Sequence, residues 1–236
     1  MTQITTVYAL DIRLMDPDDT SWYTFLSFKR AAAALRYRQL RDRSRCIGAG
    51  LLLSYALKIH APRHPLPPRT VPGVNGKPCL PELPGFHFNI SHSGDWVVCA
   101  VGASPLGVDI ERVQRDISAV AQKYYSSSEL QHLLSLPLER QAAGLVEIWV
   151  LKESYMKATG LGLHLPLHEI EVHWQPEIHI YRAGSPVPFG TGLCSFNDRD
   201  YRLGLAVYNQ ASPPPCRVEP LELEPIVRCL SLQRNE

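Results

Sequence analysis

The sequence predicts an α+β fold made of two comparable halves. Helical patterns come before strand patterns twice along the chain, and the regular strand–helix alternation of a parallel doubly wound sheet is not visible. The chain has 236 residues, of which 45% are hydrophobic and 20% charged, as in ordinary globular proteins. We place the boundary between the halves near residue 105. The predicted units are therefore 1–105, 106–210 and a C-terminal tail, 211–236.

In the first half, apolar and aromatic alternation predicts strands, and apolar or alanine-rich runs predict helices. The predicted elements are a strand over 4–14, helices over 22–40 and 44–60, and strands over 86–90 and 95–101. Four consecutive alanines at 31–34 favour the first helix. Eight prolines lie between residues 61 and 85, and they exclude a long helix or a central strand from that segment.

The second half is predicted to contain a long helix between shorter elements. These elements are a strand over 107–111, a helical segment over 117–135, a helix over 138–159, and strands over 169–174, 177–181 and 201–208. Gly160 ends the long helix. The tail contains three consecutive prolines at 213–215, so we expect it to be a strap that covers the fold or a partly disordered segment.

Composition excludes several classes of protein. The N-terminus lacks a basic start followed by an apolar run, which predicts no secretory signal, and no apolar stretch reaches the length of a membrane span. The six cysteines show no spacing typical of zinc or iron–sulfur sites, so we expect reduced thiols in a cytoplasmic protein. The net charge is +1, with +5 in residues 1–105 and −4 in the rest.

Acidic residues form the first chemical signal. Asp109 and Glu111 lie two positions apart on a predicted strand and therefore share a face, while Val108 and Ile110 point to the core. Two adjacent carboxylates are tolerated best when a cation lies between them or solvent screens them. Taken alone, this pair is typical of an exposed acidic strand edge.

The long helix carries the second signal. Trp149, Glu153 and Lys157 stack on one helical face, with Lys152 about 100° away from Glu153. Alone, this is typical of an amphipathic helix with one Glu–Lys pair. Together with Asp109 and Glu111, the helix would complete a site of three carboxylates without histidine or thiolate, which favours Mg²⁺ over zinc.

Basic and hydroxyl groups lie upstream of the carboxylates. Five arginines fall within ten residues, at positions 36, 38, 41, 43 and 45. They suit phosphate binding, a solvated helix face or a nucleic-acid surface, although the near-neutral net charge disfavours the last. Lys77 follows a turn signal, and Ser91 and His92 lie at a strand end where they could donate to a phosphate.

Four motifs in this order resemble the Sfp-type 4′-phosphopantetheinyl transferases. The similarity runs from about residue 25 to about residue 175. The motifs are Gly76-Lys77-Pro78-Cys79-Leu80-Pro81, Phe88-Asn89-Ile90-Ser91-His92-Ser93-Gly94-Asp95-Trp96, Gly107-Val108-Asp109-Ile110-Glu111, and Trp149 with Lys152, Glu153, Ser154 and Lys157.

The resemblance implies a pseudo-twofold monomer with its active site in the cleft between two similar α/β halves. It implies Mg²⁺-dependent transfer of phosphopantetheine from coenzyme A to a serine of an apo acyl or peptidyl carrier protein, with release of adenosine 3′,5′-bisphosphate. Relatives often place further basic residues where this chain has Ala31 to Ala34.

Residue roles follow from the same resemblance. Metal ligands would be Asp109, Glu111 and Glu153. Lys157 would neutralise or protonate the leaving phosphate, and Lys152 would help to hold the phosphates. The coenzyme A nucleotide would contact Arg41, Arg45, Lys77, Ser91 and His92. The catalytic set is thus Asp109, Glu153 and Lys157. From the chemistry of the displacement, we expect the serine proton to go to Glu153, directly or through water, with a metal-bound water as the alternative.

Two other functions fit parts of the sequence. A Mg²⁺-dependent phosphoesterase needs only the carboxylates and cations. A nucleic-acid-binding module would use the arginines but leaves Asp109, Glu111 and Glu153 unexplained. We expect neither nucleic acid nor membrane as a partner. The expected docking surface for an acidic carrier consists of Arg112, Arg115, Lys123, Tyr124 and Tyr125.

Overall fold

The computed structural model describes residues 5–114, 118–175, 177–196, 198–209 and 216–231. Its strands and helices are mixed along the chain, as an α+β fold requires. In chain order they are β1 (Thr5–Asp11), α1 (Phe28–Arg36), α2 (Leu40–His60), β2 (Val71–Pro72), β3 (Pro78–Cys79), β4 (His87–Ser93), β5 (Trp96–Gly102), β6 (Leu106–Arg112), α3 (Ser118–Tyr124), α4 (Ser127–Ser135), α5 (Leu138–Thr159), β7 (Ile170–His173), β8 (His179–Arg182), β9 (Ser185–Pro186), β10 (Phe189–Leu193), β11 (Tyr201–Tyr208), β12 (Cys216–Leu221) and α6 (Leu223–Ser231).

Two sheets form the centre of the molecule. The first has the order β12-β1-β5-β4, and the second has the order β10-β11-β6. β12 runs parallel to β1, whereas the other pairs in these two sheets are antiparallel. β2 and β3 make a small hairpin, and β7, β8 and β9 form a separate three-stranded sheet.

Alternating side chains place a helix on the outer face of each central sheet. In the first sheet, Tyr8 and Leu10 join α2 residues in one apolar cluster, while Val7 and Ala9 join a second cluster with β6 and β11. In the second sheet, Val108 and Ile110 belong to this shared cluster, as predicted. α5 covers the other face, so the order of layers is α2, first sheet, second sheet, α5.

Several element boundaries differ from the predictions. The predicted helix over 22–40 is divided into a 3-10 turn, Thr20–Phe25, and α1, because Leu26 and Tyr37 adopt extended backbone that ends each piece. α2 starts at Leu40 rather than 44. β10 was not predicted. In the tail, residues 216–231 contain β12 and α6, and β12 pairs with β1, so this part of the tail adds a strand to the first sheet.

All six cysteines lie in the described parts of the chain. All six cysteines are free thiols, although Cys99 alone is fully buried and the other five are partly buried. Within the described parts of the chain, we find no helix that is both long enough and apolar enough to span a membrane.

Candidate active site

The sequence predicted that three carboxylates meet, and the structure places all three in one cleft. The cleft has a volume of about 300 Å³ and lies where β4, β6 and α5 approach each other. Its lining residues are Ile90, Ser91, His92, Asp109, Glu111, Trp149, Glu153 and Lys157. Asp109 and Glu111 come from one strand, and Trp149, Glu153 and Lys157 come from one face of α5, as the spacings predicted.

Close backbone contact brings α5 to the acidic strand. A Cβ atom added at Gly107 would lie 2.1 Å from the Ser154 carbonyl oxygen and 2.3 Å from the Ala158 nitrogen. A glycine is therefore required for this approach of helix to strand. Because Asp109 lies two residues further along the same face, it is held against the Lys157 end of the helix.

Asp109 is the most buried acidic group of the cleft. Its exposed fraction is 4%, and its Oδ1 atom accepts hydrogen bonds from Lys157 Nζ at 2.6 Å and from Ser91 Oγ at 2.8 Å. Lys157 Nζ also donates to Ser91 Oγ at 3.0 Å. Asp109 Oδ2 is buried and has no hydrogen-bond partner among the described residues, which is costly for a carboxylate oxygen.

Side chains, rather than a backbone ladder, connect the edges of the two central sheets. Asn89 Oδ1 accepts from the Val108 N–H at 2.9 Å, and Ser91 Oγ accepts from the Ile110 N–H at 3.4 Å. Ser93 Oγ accepts from the Arg112 N–H at 3.2 Å. We call these three β4 residues, Asn89, Ser91 and Ser93, the seam. The seam fixes β6, and hence its carboxylates, relative to the first sheet.

A second cleft of about 430 Å³ adjoins the first. The two share Ile90 and His92. The second cleft is lined by Arg30, Tyr37, Asp42, Arg45, Cys46, Ala49, Pro78, Phe88 and Asn89 in addition to the shared pair. Arg45 donates to the Gly94 carbonyl at 2.7 Å and pairs with Asp42 at 2.8 Å, which holds its guanidinium in place.

His92 lies between the two clefts. Its side chain remains exposed, yet partial desolvation lowers the pKa of His92, and the nearby cations of Arg45 and Lys157 act in the same direction. A neutral imidazole is thus favoured in the free protein. Such a ring donates through one nitrogen and gains a proton more readily when an anion arrives.

Lys152 is not in the cleft, contrary to the expectation that it helps to hold phosphates. Its exposed fraction is 0%, and it forms an ion pair with the fully buried Glu129 at 2.8 Å. It also donates to the Tyr124 carbonyl at 3.0 Å. α5 is buried on several sides, so the roughly 100° between Lys152 and Glu153 directs Lys152 to α4 instead of the cleft.

Lys77 and Arg41 also differ from the prediction. Lys77 Nζ donates to the carbonyls of Leu106, at 2.8 Å, and Ala158, at 3.2 Å, and it lines neither cleft. Burial lowers the pKa of Lys77 to about 8. Arg41 pairs with Asp95 and lines neither cleft. Both cations are therefore already used by contacts within the protein.

Three of the five arginines in the arginine-rich segment pair with neighbouring carboxylates. Besides Arg41 with Asp95, Arg43 pairs with Asp18, and Arg45 pairs with Asp42. A nucleic-acid surface requires cations available to several phosphates in a row. This pairing argues against the nucleic-acid-binding alternative.

The expected docking surface is partly present. Arg112 has a side chain that is 41% exposed, and Lys123 lies 5.0 Å from the ring centre of Tyr124. Tyr125 is buried, with its hydroxyl donating to the Leu145 carbonyl at 2.8 Å, so it cannot belong to a surface. Arg115 lies outside the described residues.

Several residues in and around the site were not assigned a role from the sequence. Arg30 and Cys46 line the second cleft although they come from different helices. Glu129, the partner of Lys152, gave no signal beyond its place in a capping box with Ser126. The alternation of Asn89, Ser91 and Ser93 was visible in the sequence, but their role in the seam depends on a strand that lies eighteen or nineteen positions away.

The sequence of this chain is similar to those of known proteins. Residues 105–206 match the family model of the 4′-phosphopantetheinyl transferase superfamily. A 4′-phosphopantetheinyl transferase, gsp, from Aneurinibacillus migulanus is 30% identical over 193 residues, which cover 76% of this chain and 77% of that protein. This chain belongs to the Sfp-type 4′-phosphopantetheinyl transferase family.

Other members of the family match shorter segments. The 4′-phosphopantetheinyl transferase psf-1 of Bacillus pumilus is 42% identical, over 59% of this chain and 60% of that protein. The 4′-phosphopantetheinyl transferase Sfp of Bacillus subtilis (strain 168) is 40% identical, over 48% of this chain and 51% of that protein. The matches thus span between half and three fifths of the length of these two relatives.

The donor atoms of the first cleft indicate which metal ion the cleft could hold. Among the described residues, no group of three or more histidine, cysteine or acidic side chains is arranged to hold a metal ion. The chemistry of the donors nevertheless fits Mg²⁺, because Asp109, Glu111 and Glu153 supply oxygen only and line one cleft. The buried Asp109 Oδ2 without a partner is an oxygen that a cation would satisfy.

Proposed function

We propose that this protein transfers the 4′-phosphopantetheine arm of coenzyme A to a serine hydroxyl of an apo acyl or peptidyl carrier protein. The observation that carries the proposal is one cleft with three carboxylates and Lys157, which adjoins a second cleft lined by two arginines. A diphosphate joined to a phosphorylated nucleoside fits a cleft whose carboxylates hold a divalent cation beside a cleft lined by arginines. The family relationship supports the same activity.

The two clefts divide the substrate between them. The second cleft receives the adenosine 3′-phosphate end, with Arg30 and Arg45 near its anionic groups. Ser91, His92 and Lys157 hold the diphosphate in the first cleft. An ammonium about 4 Å from a phosphate oxygen contributes roughly 4 kcal/mol at an effective dielectric constant of 20, before desolvation. Lys157 is therefore important for phosphate binding but does not suffice alone.

Asp109, Glu111 and Glu153 would hold Mg²⁺ against the diphosphate. Bound there, the ion supplies charge neutralisation and polarises the phosphoryl group. In the free protein, Lys157 Nζ donates to Asp109 and Ser91. A cation held by Asp109 would replace the contact with Lys157 and leave the ammonium available to a phosphate oxygen.

The reaction is a displacement at phosphorus. The carrier serine oxygen forms a bond to the β-phosphorus, and the bond from that phosphorus to the bridging oxygen breaks. Glu153 takes the serine proton, directly or through water, and Lys157 donates a proton to the leaving adenosine 3′,5′-bisphosphate. Positioning and electrostatic stabilisation provide most of the rate enhancement in such a reaction.

The docking surface for the carrier is formed by Arg112, Lys123 and Tyr124. An acidic carrier helix would lie against these cations beside the first cleft. We further propose a cytoplasmic monomer with boundaries near residues 105 and 210. Its halves are related by a pseudo-twofold axis, since α2 covers the first sheet as α5 covers the second.

Mass spectrometry tests the proposed transfer. Purified protein, coenzyme A and Mg²⁺ are incubated with candidate apo carriers, and we expect a carrier serine to gain the mass of phosphopantetheine. Asp109→Ala or Glu153→Gln is expected to abolish the gain while circular dichroism shows an intact fold. The control is Glu224→Gln, which removes a charge from an exposed pair on α6 and leaves transfer unchanged.

A second incubation, with coenzyme A but no carrier, distinguishes transfer from hydrolysis. Cleavage of coenzyme A without any carrier would support the phosphoesterase alternative. Transfer at the wild-type rate by Asp109→Ala or Glu153→Gln would refute the assignment of these residues to the metal.

A further inference from the structure

The two serines of the seam make the same pair of contacts, two residues apart. Ser91 Oγ accepts from the Ile110 N–H and donates to Asp109, and Ser93 Oγ accepts from the Arg112 N–H and donates to Glu111 Oε2 at 2.7 Å. In both cases the carboxylate lies eighteen positions after its serine. One strand therefore carries a repeated device that connects a backbone N–H, a hydroxyl and a carboxylate.

The backbone bond determines where each serine proton points. A serine hydroxyl has one proton and two lone pairs. Since Ser93 Oγ already accepts from the Arg112 N–H, its own proton is directed away from that nitrogen, and the carboxylate of Glu111 is the acceptor within reach. Accepting one bond also strengthens the bond that the hydroxyl donates.

Ser93 differs from Ser91 in its access to a substrate. Ser91 lines the first cleft and contacts Lys157, whereas Ser93 lines neither cleft and has an exposed fraction of 9%. Ser93 is therefore not among the residues that the two clefts present to coenzyme A. Its hydroxyl instead donates a hydrogen bond to Glu111, the acidic side chain that borders the cleft.

A contact that fixes the carboxylate matters for Glu111 as well as for Asp109. Asp109 is short and 4% exposed, and both Lys157 and Ser91 hold it. Glu111 is longer, is less buried and has more rotatable bonds, so it loses more conformational freedom on binding a metal ion. A partner that fixes the carboxylate in advance reduces this loss.

We infer that Ser93 is a positioning residue that fixes the Glu111 carboxylate for the metal ion of the transfer reaction. The inference rests on the proposed function for the identity of the metal-dependent step. It assigns Ser93 to the support of a ligand and not to the binding of coenzyme A.

Binding of Mn²⁺ tests this role without turnover. Electron paramagnetic resonance measures free Mn²⁺ in mixtures with the protein and coenzyme A, with no carrier present. For Ser93→Ala we expect the dissociation constant of Mn²⁺ to rise roughly 10- to 100-fold, the range found when a partner of a metal ligand is removed. Ser93→Thr keeps the hydroxyl and is expected to bind Mn²⁺ nearly as well as the wild type.

Ser54→Ala is the matched control, since it also removes a buried serine hydroxyl but lies on α2 away from both clefts. Ser93→Cys keeps the shape of the side chain but has a larger atom that is a weaker donor, and it repeats the test if Ser93→Ala does not fold. In the transfer assay, saturating Mg²⁺ should restore most of kcat in Ser93→Ala and leave KM for coenzyme A unchanged.

Two results would overturn the inference: Mn²⁺ binding by folded Ser93→Ala or Ser93→Cys that equals the wild type, or an equal loss in Ser93→Thr and Ser93→Ala. A wild-type protein that binds Mn²⁺ but transfers nothing to any carrier would refute the proposed function alone. The Mn²⁺ titration would still decide the role of Ser93.

Discussion

α5 carries two lysines, Lys152 and Lys157, that lie in different environments of the folded protein. Lys157 borders the first cleft with a side chain that is 28% exposed, whereas Lys152 is completely buried against Glu129. Burial lowers the pKa of Lys152, and the Glu129 carboxylate opposes this shift. Breaking one side of such a pair is costly, because the remaining charge is left in a medium that solvates it poorly.

The buried pair gives a prediction about stability. Lys152→Met is expected to lower the free energy of unfolding by about 3–5 kcal/mol, since Glu129 loses its cation. Adding Glu129→Gln should recover part of the loss, because the amide oxygen can still accept from the Val172 N–H. Urea unfolding measures both variants, with the exposed Lys123→Met as a control. An increase in KM for coenzyme A without loss of stability would instead support contact of Lys152 with phosphate.

His92 gives a prediction about substrate binding. His92→Ala removes a donor shared by the two clefts, so KM for coenzyme A should rise roughly 10- to 100-fold, as for a lost hydrogen bond to a charged group. The turnover number should change little. His87→Ala is a matched control on the same strand, since His87 lines neither cleft. A fall in kcat at constant KM would assign His92 to the chemical step.

At the scale of elements, the packing of α5 against the second sheet determines the shape of the first cleft. Gly107 on β6 and Gly204 on β11 both face the helix backbone, and a Cβ at Gly204 would lie 2.5 Å from the Val150 carbonyl oxygen. Two adjacent strands therefore have glycine where the helix crosses them. Larger residues would move Glu153 and Lys157 away from Asp109.

Gly107→Ala tests this close approach. We expect a loss of about 3 kcal/mol or more in the free energy of unfolding, at the upper end for an overpacked site, because the added methyl meets backbone atoms that cannot rotate away. Transfer should fall as well, because the carboxylates separate. Gly85→Ala is the control, since a Cβ there meets nothing within 4 Å. Equal stability of the two variants in urea unfolding would contradict the prediction.

The whole molecule is held together in part by Lys77. This residue belongs to the first half, between β2 and β3, yet its ammonium donates to carbonyls of β6 and α5. Burial lowers the pKa of Lys77 from 10.5 to about 8. Between these pH values the folded chain has released the ammonium proton of Lys77, whereas the unfolded chain still holds it. The unfolded state then binds more protons between these values, so stability from Lys77 rises with pH across that window.

Unfolding at two pH values checks this linkage. From about pH 7.5 to about pH 9.5, the wild type should gain more free energy of unfolding than Lys77→Met, which has no titrating group at this position. The difference between the two proteins removes the contribution of other groups that titrate in the same range. An equal change in both proteins would show that the Lys77 pKa is not lowered by folding.

Local patterns in the sequence predicted much of this protein. The α+β class, the strands around residues 86–111, the helix over 138–159 and the meeting of Asp109, Glu111 and Glu153 follow from alternation, helical spacing and the order of four motifs. These are properties of residues that are near each other in the chain, or of motifs that are specific in combination.

Tertiary structure alone decided the rest. The spacing of residues along the chain does not predict that Lys152 pairs with Glu129, that Lys77 donates to the Leu106 carbonyl, or that β12 pairs with β1. Each of these depends on burial and on contacts between segments far apart in sequence, because the environment of a charged side chain is set by what packs against it. The seam depends on both levels. The alternation of its polar residues is a local pattern, but these residues connect the two sheets only because the sheet edges meet in the folded chain.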